Sequence, residues 1–355
     1  MLPLVFAMAK APNSVIGVDI GRYSLKSVLI QRRKDRLVVT NYGSHIPAEP
    51  ARDADELGRQ LKALFKDMGG SAKSCAVSVS SPDALIRIIE QPETPTHILR
   101  DALRLNGMAL LNQDVKSFVL DCDLIPSQPA NGGSAPSPGP ARLKYLVGGV
   151  PRVEIEKVSA AVTAAASSDI AGLQLSPISA YNAFEFARPD VFNERPFFLV
   201  DIGHACSTMM VGMRRELLLV RSIDFGGGAL LEALCGLSGD TRDAVISALD
   251  QDDEVMVEYT RVTMNTLTRE ISSSIGFIEH HHDATIDRVF VSGGPANSKV
   301  FLKLMGEELG MQCEAWSAAE KCDIELSGQR REAFDRESLD LNVACGAATQ
   351  VLTVS

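Results

Sequence analysis

A recurring tetrapeptide constrains this chain more than any other feature. Val18-Asp19-Ile20-Gly21 returns as Val200-Asp201-Ile202-Gly203. Each copy ends an apolar run that reads as a strand. Each is followed by a second strand, a tip bearing an Arg pair (Arg32-Arg33 and Arg214-Arg215), a third strand and then a helix. One tetrapeptide recurs by chance, but matching surroundings imply two equivalent folding units. With 355 residues the chain has room for two domains of ordinary size. A core that large needs neither disulfides nor metal.

In the first unit, residues 15–30 read as two strands joined at Asp19-Ile20-Gly21, residues 32–36 as a charged, solvated hairpin tip, and residues 37–42 as a third strand. Asp53, with Glu56 three residues on, has the spacing of a capping box. Leu57, Leu61, Leu64, Phe65 and Met68 then share one helical face. Gly69-Gly70 stops the helix before a strand over 75–80. Near residue 84 the pattern changes to an inserted α+β unit: strands near 85–89, 117–124 and 143–150, a helix near 97–110, and an alanine-rich, close-packed helix over 153–167. Within it, PSQPANGGSAPSPGP (126–140) carries five Pro, three Gly and three Ser. It buries too little apolar surface to hold a fold, so a flexible excursion is expected. The second unit continues with helices near 226–235, 240–249 and 253–280. A strand over 286–291, a helix over 298–309, a short strand over 312–315 and an apolar helix over 342–351 complete the chain.

A carboxylate beside a Gly at a strand end offers two groups to a phosphorylated, metal-bearing ligand. Gly lets backbone N–H groups approach a phosphate without a clash, and the carboxylate holds Mg²⁺ through its water shell. Two such turns facing each other would clamp a triphosphate from both sides, with Asp19 and Asp201 at the metal. Lys26 begins the returning strand, where its ammonium reaches phosphates. Gly226-Gly227-Gly228 opens a helix after a strand, and Gly293-Gly294 lies between a strand and a helix. Both suit close approach of a ligand.

Other features exclude other chemistries. A net charge of −10 lacks the basic field of a duplex binder, so no nucleic-acid partner is expected. No stretch approaches the roughly 18 apolar residues of a spanning helix. The short apolar run at the start has no basic region ahead of it, as a signal peptide would. Seven cysteines without a CxxC pair suit reduced, mostly buried thiols in a cytoplasm, Cys206 among them. His280-His281-His282 point about 100° apart on a helix and read as a polar helix end rather than a metal site.

Taken in order, these segments resemble the actin, sugar-kinase and chaperone ATPase superfamily, and within it the PilM family of type IV pilus assembly, with FtsA behind it. The resemblance is carried by VIGVDIGRYSLKSV, LIRIIEQPETP, FFLVDIGHACST, RSIDFGGGALLEAL, LTREISSSIGFIEHH and RVFVSGGPANSKVFLKLMGEELG. It covers nearly the whole chain from about residue 14. It implies an α/β fold of duplicated actin-like (ribonuclease H-like) domains with an FtsA/PilM-type inserted α+β subdomain. The first domain would span 14–195, with the insert over about 85–171 and a C-terminal helix, 339–355, returning to it. The second would span 196–338, with a small helical subdomain near 238–283.

The resemblance further implies ATP and Mg²⁺ in the cleft. Gly21, Arg22, Ser24 and Lys26 would serve the first phosphate loop, and Gly203 and His204 the second. Gly226, Gly227 and Gly228 would lie beside them, with Gly293 and Gly294 in the adenosine segment. Asp19 and Asp201 would hold the metal through water. The chain would be a cytoplasmic adaptor that docks the N-terminal cytoplasmic peptide of a PilN-like inner-membrane partner, at most a slow ATPase, with self-association as a second mode of assembly. Two positions depart from the family pattern: Arg22 and His204 stand where small residues are usual. Gln174 and Ser176 stand near a place that is commonly acidic and orients the attacking water. Phosphoryl transfer depends on positioning and charge stabilisation, so this departure weighs on hydrolysis more than on binding. A nucleotide-free structural scaffold and a small-molecule kinase of the same superfamily are the alternatives.

Overall fold

The computed structural model describes residues 12–126, 142–166, 168–251, 253–282 and 284–353. Past Pro126, the excursion expected over 126–140 lies outside them. The first unit opens with β1 (Ser14–Ile20), β2 (Leu25–Arg33), β3 (Arg36–His45), α1 (Ala54–Met68) and β4 (Ser74–Val79). The insert follows as β5 (Leu85–Pro92), α2 (Thr96–Leu105), α3 (Gly107–Leu111), β6 (Phe118–Leu124) and β7 (Arg142–Pro151). Next come α4 (Arg152–Ala165), β8 (Asp169–Leu175), α5 (Ser176–Ala187) and α6 (Pro189–Glu194). The second unit holds β9 (Pro196–Ile202), β10 (Ser207–Met213), β11 (Glu216–Ile223), α7 (Gly227–Ser238), α8 (Arg242–Asp250), α9 (Glu254–His282), β12 (Arg288–Gly293), α10 (Lys299–Leu309) and β13 (Gln312–Ala315). β14 (Asp323–Ile324), α11 (Gln329–Glu337) and α12 (Asn342–Thr353) close the chain.

The two large sheets follow one plan. Strand order is β3-β2-β1-β4-β8 in the first, extended by β14 beside β3, and β11-β10-β9-β12-β13 in the second. In both, the first three strands are antiparallel and the last two join parallel. Even an irregularity repeats. The register slips between Leu29 and Ile30 of β2 and between Val211 and Gly212 of β10, the same spacing that separates the tetrapeptides. The Arg pairs, however, do not hold equivalent places. β2 runs on through Arg32-Arg33 and turns at Lys34, whereas Arg214 and Arg215 are themselves the turn, at φ 50° and 73°, as a tight hairpin requires. Nor is the first tip merely solvated: Arg33 pairs with Glu325 at 2.5 Å and Arg36 with Asp323 at 3.1 Å.

Strand alternation sorts the core into layers. Ile16, Val18 and Ile20 face α1 and α4, through Leu57, Leu61, Val158 and Val162. Val15, Val28 and Ile30 face the other way, into a core shared with α5, α12 and the second sheet's Phe197, Leu199, Met210 and Phe290. The remaining face of the second sheet, with Phe198, Val200 and Ile202, packs on α7, α9 and α10. Central strands covered on both faces explain why β1 and β9 read as apolar runs. The α5–α12 pair therefore lies between the two sheets. It is closely crossed: a Cβ on Gly346 would stand 1.9 Å from Ser179 O, and one on Gly17 of β1 would stand 2.0 Å from Ala344 O. A buried Asn182–Gln350 hydrogen bond of 2.9 Å fastens the pair.

The insert has its own small core, in which Leu99 and Leu103 of α2 meet Leu85, Leu120, Tyr145 and Val147 of the sheet β5-β7-β6. The opposite sheet face, with Leu146 and Val150, joins the shared core. Lys144 pairs with Glu216 of β11 at 2.6 Å. The insert expected over about 85–171 ends with β7: α4 packs with α1, and β8 is an edge strand of the first sheet.

Three further sequence expectations need correcting. The return to the first unit starts before residue 339. β14 already pairs with β3, and Arg330 of α11 donates to Tyr42 O and Met68 O, both at 2.6 Å. A two-residue strand and a helix with Phe334 as its buried residue carry little periodic signal. The helix near 97–110 breaks at Asn106 into α2 and α3. At α1, Asp53 caps the Glu56 N–H at 2.8 Å, but the Glu56 carboxylate accepts from Arg52 N rather than from Asp53, so the box is not closed.

Two alanine substitutions test this packing by calorimetric or optical melting. Gly346→Ala should cost about 1–3 kcal/mol, because backbone must move to admit the methyl. Gly276→Ala, on the exposed side of α9 with nothing within 4 Å of the new atom, should instead stabilise by about 0.5–1 kcal/mol.

Candidate functional site

The same alternation brings the two repeated aspartates together. Asp19 shares a face with Val15, and Asp201 shares one with Phe197 and Leu199, all of which point into the layer between the sheets. Both stand near the C-terminal ends of their strands and line a cleft of about 1210 Å³ between the two units. Each carboxylate has a cross-strand neighbour on the same face. Lys26 lies opposite Asp19 and Thr208 opposite Asp201, so one unit offers a cation where the other offers a hydroxyl. On the other side stand Ser78 and Ser292. Ser292 Oγ donates to Asp201 Oδ1 at 2.7 Å. Ser78 instead faces Ser176 Oγ at 3.4 Å, long for a hydroxyl bond.

Of the sequence-predicted residues, Asp19, Gly21, Arg22, Ser24 and Lys26 line the cleft from the first unit. Asp201, Gly203, His204, Gly227, Gly293 and Gly294 line it from the second. Gly226 and Gly228 do not. They are small for another reason: a Cβ at Gly226 would lie 2.3 Å from His204 O, and one at Gly228 would lie 2.6 Å from His204 Nε2. The Gly227 and Gly228 N–H groups are spent on Gly203 O and His204 O, each at 2.8 Å. The triple glycine thus serves to seat the second loop against α7. Gly293, at φ 89°, lets β12 end against Ile202 O, where a side chain would overlap.

Burial pushes Asp19 up to about 6, with Lys26 opposing and the carboxylates of Asp201 and Asp340 adding to the rise. Asp340 is raised as well, mainly by burial, again with Lys26 opposing and Asp201 reinforcing. It was missed in the sequence, where its one signal is an acid two residues before an apolar helix. Tyr23 was also missed. Its ring stacks on His204 across the cleft, centroids 3.6 Å apart. The Cys206 thiol is raised by burial, opposed by a hydrogen bond and the charge of Arg22.

At the end of β8, Leu175, Ser176 and Pro177 line the cleft. Gln174 is buried, and its Oε1 accepts from Ser179 Oγ at 2.9 Å, away from the cleft. Among the described residues no group of three or more His, Cys, Asp or Glu side chains is arranged to hold a metal directly. His281 at the end of α9 is engaged locally, its Nδ1 2.8 Å from Phe277 O. No described helix is long and apolar enough to cross a membrane.

The family model of type IV pilus assembly protein PilM matches residues 156–351. No curated protein sequence matches the chain. Among solved structures, a PilM–PilN type IV pilus biogenesis complex superposes with a TM-score of 0.76 at 18% identity, covering 95% of this chain and 98% of that one. Ethanolamine utilization protein EutJ from Carboxydothermus hydrogenoformans superposes with a TM-score of 0.52 at 12% identity, covering 98% and 92%. These identities speak for the fold, and the actin-like fold expected from the sequence is the one observed. The family match runs from α4 to α12 and so takes in the second loop, the triple glycine and both helices of the central layer. More than half of the chain is covered by that one model, and the protein belongs to the PilM family of type IV pilus assembly proteins.

Proposed function

We propose that the cleft binds ATP with Mg²⁺ and that the protein is a PilM-type adaptor for a pilus or related envelope system, with slow or absent hydrolysis. The observation that carries the nucleotide reading is the pair Asp19 and Asp201, presented by duplicated strand ends with Lys26 beside one of them. The donor set fits a hydrated divalent ion. Two carboxylates hold Mg²⁺ through its waters, in keeping with its reluctance to shed them, and no third ligand needs to reach it. When bound, Mg²⁺ offsets phosphate charge. Asp19 and Asp201 orient its water shell, Lys26 meets the phosphates, and the Gly21 and Gly203 turns leave room for backbone approach. Slow turnover is supported at the end of β8. Of the two residues near the water-orienting place neither is acidic: Gln174 is buried with its Oε1 on Ser179, and the cleft is lined there by Ser176. The partner reading rests on family membership and on the fold shared with a PilM–PilN complex. It has the chain dock the N-terminal cytoplasmic peptide of a PilN-like inner-membrane protein and sit at that membrane through it.

Isothermal titration with ATP, with and without Mg²⁺, tests the site. Magnesium-dependent binding that is lost in Asp19→Ala and in Asp201→Ala is expected. Unchanged affinity in both variants would sink the reading and leave a nucleotide-free scaffold. The partner is tested by adding a synthetic N-terminal cytoplasmic peptide of a PilN-like protein from the same organism: saturable binding is expected, and none at millimolar peptide would refute the docking.

Asp19 also makes a stability prediction. Its folded value lies above the ordinary 3.8. As pH rises from about 4 to about 6 the unfolded chain therefore gives up this proton before the folded one, and stability falls across that window. Above pH 6 the cost is on the order of 2–3 kcal/mol. Asp19→Asn should melt higher than wild type at pH 7.5, with the gain shrinking toward pH 4, while losing Mg²⁺-dependent ATP binding. A gain equal at both pH values would show that the buried charge is not its source.

A further inference from the structure

The two loops that bracket the cleft touch each other through side chains. Tyr23, from the first unit, stacks on the imidazole of His204, from the second, with centroids 3.6 Å apart and planes within 10°. The imidazole is also held from the α7 side. A Cβ on Gly228 would reach its Nε2 at 2.6 Å, and His204 O fixes the Gly228 N–H at 2.8 Å. Beside this stack, the guanidinium of Arg22 lies close enough to the Cys206 thiol to oppose the rise that burial causes, again from one loop to the other. Arg22 and His204 occupy equivalent places in the two units, each directly after the repeated tetrapeptide. Both line the cleft, and each is also engaged with the opposite loop. Burial and the charges of Arg242 and Lys26 keep the imidazole below its ordinary value, so it meets the phenol as a neutral ring at neutral pH.

We infer that the Tyr23–His204 stack is a latch that ties the two loops together over the cleft, and that nucleotide loads and leaves when it parts. The inference rests on the nucleotide reading above. His204 is confined by α7 on one side, while Tyr23 is exposed on the other. The stack parts when Tyr23 turns outward or the loops separate, and while it holds the latch slows loading and release together.

Two measurements test it on wild type, Tyr23→Ala, His204→Ala, the double variant and Tyr23→Phe. The first is stopped-flow loading and displacement of methylanthraniloyl-ATP with Mg²⁺. Both alanine variants should load and release the probe about two- to tenfold faster, the span a stacked ring pair supports. The double variant should be no faster than the faster single, and Tyr23→Phe should keep the wild-type rates. Independent, multiplying effects of the two substitutions would overturn the latch. The second is hydrogen–deuterium exchange without nucleotide. Amides of residues 203–208 should exchange faster in Tyr23→Ala, although the substitution lies in the other unit. Unchanged exchange there would overturn the stack itself. If no variant and no wild type takes up the probe, the nucleotide reading fails and the latch's role in traffic fails with it. The exchange result then tells that failure apart from a failure of the loop contact.

Discussion

The close crossing of α5 and α12 governs the rest of the molecule. These two helices form the layer between the large sheets, and their approach is set where Gly346 meets the backbone of Ser179. A side chain there would push the layer apart. Because β1 packs on α12 through Gly17 in the same way, the first sheet follows any change in the pair. The separation of the sheets fixes how far apart the two repeated aspartates sit. The width of the cleft is therefore a consequence of a packing distance among glycines and alanines that carry no chemistry.

The cleft itself is built against the grain of stability. Three carboxylates gather around one lysine at the edge of a core, and burial keeps Asp19 and Asp340 reluctant to ionise. The duplication is not symmetric here. Asp201 has a serine hydroxyl on its carboxylate, whereas the matching serine of the other unit looks away from Asp19. One aspartate is thus held by a hydrogen bond and the other by a charge. A bound cation would relieve the repulsion that folding alone leaves in place.

Much of this was legible in the sequence, for identifiable reasons. The long strands and the helices of the two units repeat a strong pattern, and the Asp-Ile-Gly turns mark the cleft because both copies end a strand that opens on it. The parts that were not legible depend on contacts between distant segments. No local signal shows that the Gly226 and Gly228 positions make room for His204, that Tyr23 finds His204 from the other unit, or that β14 and α11 return to the first sheet. The Arg pairs misled because equal spacing in sequence did not survive two extra residues of strand. The short charged helix around Phe334 has too few apolar positions to show a period.

The chain passes between its two halves twice, once after α6 and once after β13. Arg188, just past α5, pins these passages to each other by binding Glu320 at 2.5 Å and Glu314 at 3.5 Å, while the Asn342 side chain holds Trp316 O at 3.0 Å and Ala318 N at 2.7 Å. Two covalent passages bound side by side thus tie the halves together at one place. With the core that both sheets share, they oppose twisting and sliding of one half on the other.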